Sequence, residues 1–197
     1  MSSTNRSKSR NFHIADYYKT PENAIEEFWN EFTVNKDINK YIYNKNIKIL
    51  EPCAGGLIGK DGMSYVNVLN KFGYKNISTI DIRQDSLATI KGDYLKMDCK
   101  NKYDLIITNP PFAIALDVIK KALNDVKNDG YVIMLLRLNF LEGKARREFW
   151  KHNMAKYIYV HSKRMSFTND GKTDSIAYAH YVWEKGKNPD MAMIKVI

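Results

Sequence analysis

Apolar residues fall along this chain in short dense runs, and polar stretches of helical periodicity separate them. Ile47 to Glu51, Ile77 to Ile82, Asp104 to Asn109, Gly130 to Arg137, Lys156 to His161 and Ile176 to Trp183 are rich in β-branched, aromatic and leucine residues. Bounded by turn formers, such runs predict buried strands. Between them, Ala24, Ile25, Phe28, Trp29 and Phe32 recur at helical spacing, as do Tyr65, Val66, Val68, Leu69 and Phe72 before Gly73. Further helices are predicted over 113–127 and around Arg146, Arg147, Phe149 and Trp150. Thr20 reads as the N-cap of the first helix, with Pro21 as its first residue. Gly92 to Leu95 predicts a short third strand, and Asn128-Asp129-Gly130 a turn. Strands alternating with helices predict an α/β fold with a mostly parallel sheet.

The strand from Asp104 runs without a charge into Asn109-Pro110-Pro111-Phe112. Neither proline has an N–H to give, so the ladder must stop at Asn109 and project a stiff loop from the strand's carboxyl end. Open α/β sheets bind their ligands at that end. The Asn109 side-chain oxygen and the Pro110 carbonyl can both accept from one planar NH2 group, such as the amino group of adenine. Two acceptors favour a more tetrahedral nitrogen, whose lone pair then points at an electrophile. Phe112 can stack on the ring. A proline-rich turn after a strand accounts for the prolines equally well.

Two other strands end in acids. Glu51 precedes Pro52, Cys53, Ala54, Gly55 and Gly56, where the glycines let a ligand approach the backbone and Glu51 can meet a cationic group. Asp81 closes the next strand, placed to accept from ribose hydroxyls. Asp93 could accept from an adenine amino group and Tyr94 flank its ring, although a Gly-Asp turn explains the pair almost as well. Tyr17 and Tyr18, before the first helix, could cover a ligand.

Composition narrows the partners. The 197 residues carry a net charge of +9, which points to a polyanion, and a lysine-rich surface is the plain alternative. Residues 1–15 read as a flexible basic tail and 16–197 as one domain. Cationic and aromatic residues interleave in two loops, one holding Arg137, Asn139, Arg146 and Arg147, the other Arg164, Ser166, Phe167 and Lys172. That mixture suits a strand of nucleic acid. No run approaches a membrane span, the N-terminus is not a signal peptide, and a cytoplasmic location is expected. Cys53 and Cys99 make neither a disulfide framework nor a metal cluster, and His13, His152, His161 and His180 have no metal-ligand or triad context.

From about Tyr18 to Trp183 the chain resembles the S-adenosylmethionine-dependent methyltransferases that act on the N6 amino group of adenine in DNA, and is most similar to small phage or prophage members. Asn109 to Phe112 resembles their (D/N/S)PP(Y/F) motif, Glu51 to Gly56 their glycine loop, and Thr20-Pro21 the motif that touches the methionine moiety. Asp81, with Ile82 beside it, resembles their ribose-binding acid and Asp93-Tyr94 their adenine-side motif. The resemblance implies a Rossmann-like class I methyltransferase fold with seven strands, mostly parallel, the last antiparallel. It implies S-adenosylmethionine as cofactor, S-adenosylhomocysteine as product and no metal. It also implies direct transfer to a flipped or unpaired base, since a paired amino group is out of reach inside a duplex. The chain departs from the pattern in lacking the loop's later glycine and any sizeable target-recognition domain. Recognition would then come from the two loops, the tail, a partner subunit or a homodimer. Adenine in RNA, glutamine in a protein, or a silent nucleic-acid-binding subunit are the alternatives.

Overall fold

The computed structural model describes residues 18–59, 62–167, 173 and 175–197. Its elements in chain order are α1 (Glu22–Thr33), β1 (Ile49–Glu51), α2 (Ser64–Lys71), β2 (Ile77–Asp81), β3 (Ile90–Lys91), β4 (Tyr103–Thr108), α3 (Ala115–Asp125), β5 (Val126–Arg137), α4 (Lys144–His152), β6 (Tyr157–Val160), β7 (Tyr178–Glu184) and β8 (Met193–Val196). The strands form one sheet in the order β3-β2-β1-β4-β5-β7-β6-β8. β7 runs antiparallel to both of its neighbours, and all other pairings are parallel.

The pleat sorts the core into two layers. Leu105, Ile107, Tyr131 and Ile133 face α1 and α2, where they meet Phe28, Trp29, Phe32, Tyr65 and Val68. Ile106, Val132 and Met134 face the other way, against Val118 and Ile119 of α3 and Phe149 and Trp150 of α4. Alternation within the apolar runs thus buries both faces of the central strands over 105–108 and 130–136, as expected of a parallel sheet covered by helices on both faces.

Four expectations change. The sheet has eight strands rather than seven. β8 is fully exposed on an edge, so no buried periodicity marks it in the sequence. The third strand is Ile90–Lys91, and Asp93 instead caps a single 3-10 turn, Tyr94–Lys96, by accepting from the Leu95 N–H at 3.0 Å. Asn128 to Gly130 lie inside β5 as an irregularity rather than a separate turn. Asp129 has φ +59°, and the register with β4 slips between Tyr103 and Leu105. Gly130 is obligatory there, because a Cβ would sit 2.8 Å from the Asp104 carbonyl oxygen and 2.7 Å from that of Lys127. Finally, Thr20 does not cap α1. The residue before the helix is Pro21, and no side chain caps it.

Candidate active site

Five consecutive strands present a polar residue at their carboxyl ends. Asp93 follows β3, Asp81 ends β2, Glu51 ends β1, Asn109 follows β4 and Arg137 ends β5. Neighbouring strands lie about 4.8 Å apart, so this row spans about 20 Å. The chain leaves β1 toward β2 and β3, then returns to β4 on the other side of β1. The strand order therefore reverses between β1 and β4, with Glu51 on one side and Asn109 on the other. Crevices at such reversals are the ligand sites of open α/β sheets.

Asn109 is held by a residue far away in sequence. Its Nδ2 donates to Thr20 Oγ1 at 3.1 Å. Its Oδ1 is buried and has no partner. The Thr20 hydroxyl, 4% exposed, is thus spent on Asn109 and not on the helix. A buried acceptor left empty costs about 1–3 kcal/mol, so Asn109 Oδ1 is an unfilled hydrogen-bonding capacity at the carboxyl end of β4. Pro111 enters a 3-10 turn over Phe112–Ile114 that leads into α3. The ring of Phe112 carries the Arg137 guanidinium over it at 4.4 Å and meets Tyr178 at 5.9 Å. Tyr178 touches Phe167 at 4.9 Å, and Phe167 touches Tyr18 at 6.3 Å, both edge-on. Tyr178 belongs to this aromatic rim and was not anticipated. Its register opposite Arg137 puts it there, and only the β5–β7 pairing reveals that.

Across the reversal the glycine loop is anchored on Asp81. Its Oδ2 accepts from the Gly55 N–H and its Oδ1 from the Arg83 N–H, each at 2.8 Å. Arg83 Nη2 donates to the Gly56 carbonyl, so a second unanticipated residue clamps the loop. Gly56 has φ +74°, and a Cβ there would lie 2.9 Å from Leu87 Cβ. Ala54 and Pro52 are buried beneath the loop, whereas Ile82 is 52% exposed beside Asp81. Residues 60 and 61, which follow this loop, lie outside the described residues.

Glu51 is 3% exposed, and its Oε2 has no partner. Burial, with the Asp81 charge adding to it, raises its carboxyl well above the ordinary range, opposed by a hydrogen bond from the Val66 backbone. A buried carboxyl with an empty oxygen is a fit receptor for a cationic group. Burial also pushes the Cys53 thiol up to about 12, so it is a neutral thiol and not a nucleophile. Tyr94 is drawn away from this row. It is 4% exposed within the core layer of α3, with Lys121 over its ring at 4.9 Å, which leaves little of the ring to flank a ligand. Among the described residues no group of His, Cys, Asp and Glu could hold a metal ion. Cys53 and Cys99 are both free.

The predicted cationic residues separate. Arg137 is stacked on Phe112. Arg146 is bound to its own turn, with Nε on the Glu142 carbonyl at 2.9 Å and its guanidinium 4.8 Å over Phe140. Asn139, Arg147 and Arg164 are exposed, and Ser166 and Phe167 are half-buried. Lys172 and the basic tail lie outside the described residues.

Solved structures share this architecture. A protein of Listeria monocytogenes assigned to the class I S-adenosylmethionine-dependent methyltransferases superposes with a TM-score of 0.64 at 14% identity, over 95% of this chain and 68% of the other. A Pyrococcus horikoshii protein assigned as an RNA methyltransferase gives 0.61 at 16% identity, over 89% and 90%. The M protein of the type I restriction enzyme EcoKI gives 0.60 at 12% identity, over 93% of this chain and 47% of its own. The fold is that of a class I methyltransferase. No protein-family model and no curated sequence matches the chain. The antiparallel strand is β7, and the last strand, β8, pairs parallel with β6 at the edge, so the expectation of an antiparallel last strand holds for the seventh strand and not for the eighth. No helix among the described residues is long and apolar enough to cross a membrane.

Proposed function

We propose that the protein transfers a methyl group from S-adenosylmethionine to the N6 amino group of adenine in DNA. The observation that carries this reading is the empty, buried Oδ1 of Asn109, fixed in orientation by Thr20 and one residue before Pro110. Two acceptors at that spot fit two hydrogens on one planar nitrogen. The cofactor, when bound, supplies an electrophilic methyl on a sulfonium. Glu51 would hold its ammonium group, Asp81 its ribose hydroxyls and Asp93 its adenine, while Gly55 and Gly56 would let it lie against the backbone. Thr20, Pro21 and Tyr18 border its methionine end, with Pro52, Cys53, Ala54 and Ile82 completing the cradle.

Asn109 Oδ1 and the Pro110 carbonyl hold the two amino hydrogens, so that the nitrogen lone pair is directed at the methyl. Phe112 supports the base face. S-Adenosylmethionine would supply the methyl and depart as S-adenosylhomocysteine, and one amino proton would pass to solvent. Cys53, a neutral thiol, takes no covalent part. The motif supports a planar amine as acceptor, and the net charge of +9 supports a polyanion as its carrier. Because a protein assigned as an RNA methyltransferase shares the fold over 90% of its own length, RNA is the reading to be tested beside DNA.

The test is tritiated methyl transfer from S-adenosylmethionine to duplex DNA, single-stranded DNA and total RNA in parallel, with nucleoside digestion of the product. N6-methyladenine in a DNA pool is expected. Label in RNA alone, or in none while cofactor binds, overturns the reading. Asn109→Ala should abolish transfer and leave cofactor affinity within about twofold.

A further inference from the structure

A groove of about 590 Å³ runs along α4, separate from the row of strand-end residues. It begins at Leu141 and Gly143, just beyond the carboxyl end of β5, and ends at Met154 and Pro189 near the opposite end of the sheet. Lys144, Arg147 and Lys151 line it on one helix face. At about 1.5 Å per residue these three cations span about 10 Å, which matches roughly three phosphates of one DNA strand. Lys151 shares its charge with Glu148 at 2.8 Å. Lys144 and Arg147 make no ion pair among the described residues. Arg146, on the same helix, is fastened to Glu142 and Phe140 and is not available. Asp190 also lines the groove, on the side opposite the α4 cations in sequence.

We infer that this groove holds the sugar–phosphate backbone of DNA leading away from the target base. The inference rests on the function proposed above and adds a partner-binding surface to it. The floor decides between backbone and bases. Trp150 lines the groove but is only 8% exposed, its ring stacked on Trp183 at 6.2 Å, so it offers no platform for an unpaired base. Leu141 and Met154 give apolar surface for sugars, and the helix gives charge for phosphates. Such contacts position the duplex without reading its sequence. They grip the duplex on the methyltransferase-fold domain itself.

The experiment compares Lys144→Gln/Arg147→Gln with Lys75→Gln/Lys100→Gln, a pair of exposed lysines outside the groove that changes net charge equally. Binding of a labelled duplex is titrated across a range of salt, with thermal melts confirming the fold of each variant. The groove variant is expected to bind about tenfold more weakly and to lose about two units of slope in log K against log salt. The control pair is expected to change affinity less than threefold. Equal weakening by both pairs overturns the groove and leaves only general charge. Unchanged binding in the groove variant, with methylation of DNA intact in the wild type, overturns the groove alone. Groove-dependent DNA binding without any methyl transfer sinks the reaction and leaves the groove standing. Labelled poly-glutamate bound more tightly than DNA, and released by the same double substitution, would assign the groove to an acidic protein instead.

Discussion

The Arg137 guanidinium lies 4.4 Å over the ring of Phe112, and its Nε is buried without a hydrogen-bond partner. One face of the ring is thereby covered. A partly desolvated contact of this kind contributes about 1–2 kcal/mol. Arg137→Ala should free the ring and lower kcat/KM for DNA about tenfold, with cofactor affinity unchanged by calorimetry. An unaltered kcat/KM would show that Phe112 needs no backing.

Thr20 and Asn109 are joined at 3.1 Å across 89 residues of chain. Removing the hydroxyl lets the Asn109 amide rotate, so its oxygen is no longer held toward the amino group. Thr20→Val should lower kcat by about tenfold with little change in KM for DNA, and Thr20→Ser should restore it. Steady-state kinetics of the two variants checks this, and a Ser variant as poor as Val would rule the hydroxyl out.

Glu51 combines poor burial energetics with the cofactor role proposed for it. Its carboxyl is raised in the folded state, so the folded protein holds more protons there than the unfolded chain, and this contribution to stability is lost as pH rises above about 4.5. Glu51→Gln should therefore raise Tm at pH 8 by at least about 2 °C, the shift that about 1 kcal/mol gives in a chain of this size. It should at the same time weaken S-adenosylmethionine binding at least tenfold. Gain of stability with unchanged affinity would remove Glu51 from the cofactor site.

A buried polar chain crosses the α1 face of the sheet. Tyr65 Oη lies 2.9 Å from His180 Nε2, and His180 Nδ1 lies 2.8 Å from His161 Nε2. Phe28 stacks on His180 at 4.0 Å. Burial lowers His161 to about 4, opposed by Glu27 at 3.8 Å, and lowers His180 in the same direction, with His161 adding to it. Both stay neutral when folded and charge more readily when unfolded, so stability is present above about pH 6.5 and is lost as pH falls toward 4. Between pH 7 and pH 5 His161 alone should cost about 2 kcal/mol in urea unfolding. His161→Gln should flatten that pH dependence, and a variant as acid-sensitive as the wild type would refute the assignment.

Gly56→Ala meets both a left-handed backbone and Leu87 at 2.9 Å. The loss should exceed about 1 kcal/mol, read as a fall in Tm of at least about 2 °C. Cofactor affinity should fall with it, because Arg83 and Asp81 hold the same loop.

Much of the architecture was legible in the sequence because its causes are local. Apolar runs ending in Glu51, Asp81 and Asn109 announce strands that terminate in polar residues, and consecutive prolines forbid a ladder whatever the rest of the chain does. Helical spacing around Phe28, Tyr65 and Phe149 needs only the 3.6-residue period. β8 was missed because Met193 to Val196 are exposed on an edge, where no core imposes a pattern. Asn128 to Gly130 misled because the same residues that make a turn also make a strand irregularity with positive φ.

By itself the sequence determined which chemistries the chain can offer: a stiff Asn-Pro-Pro-Phe loop, strand-end acids, a glycine loop and a cationic surface. Only the tertiary structure decided how each was used. Thr20 serves Asn109 and not its helix, because a buried amide beside it competes for the one hydroxyl. Arg146 is consumed by Glu142 and Phe140 while Arg147, one residue on, faces the groove, since a helix turns neighbours to different sides. Tyr94 is taken by the core, and Tyr178 reaches the Phe112 rim through an antiparallel pairing 41 positions after Arg137. These assignments depend on contacts between distant segments, which no local pattern encodes.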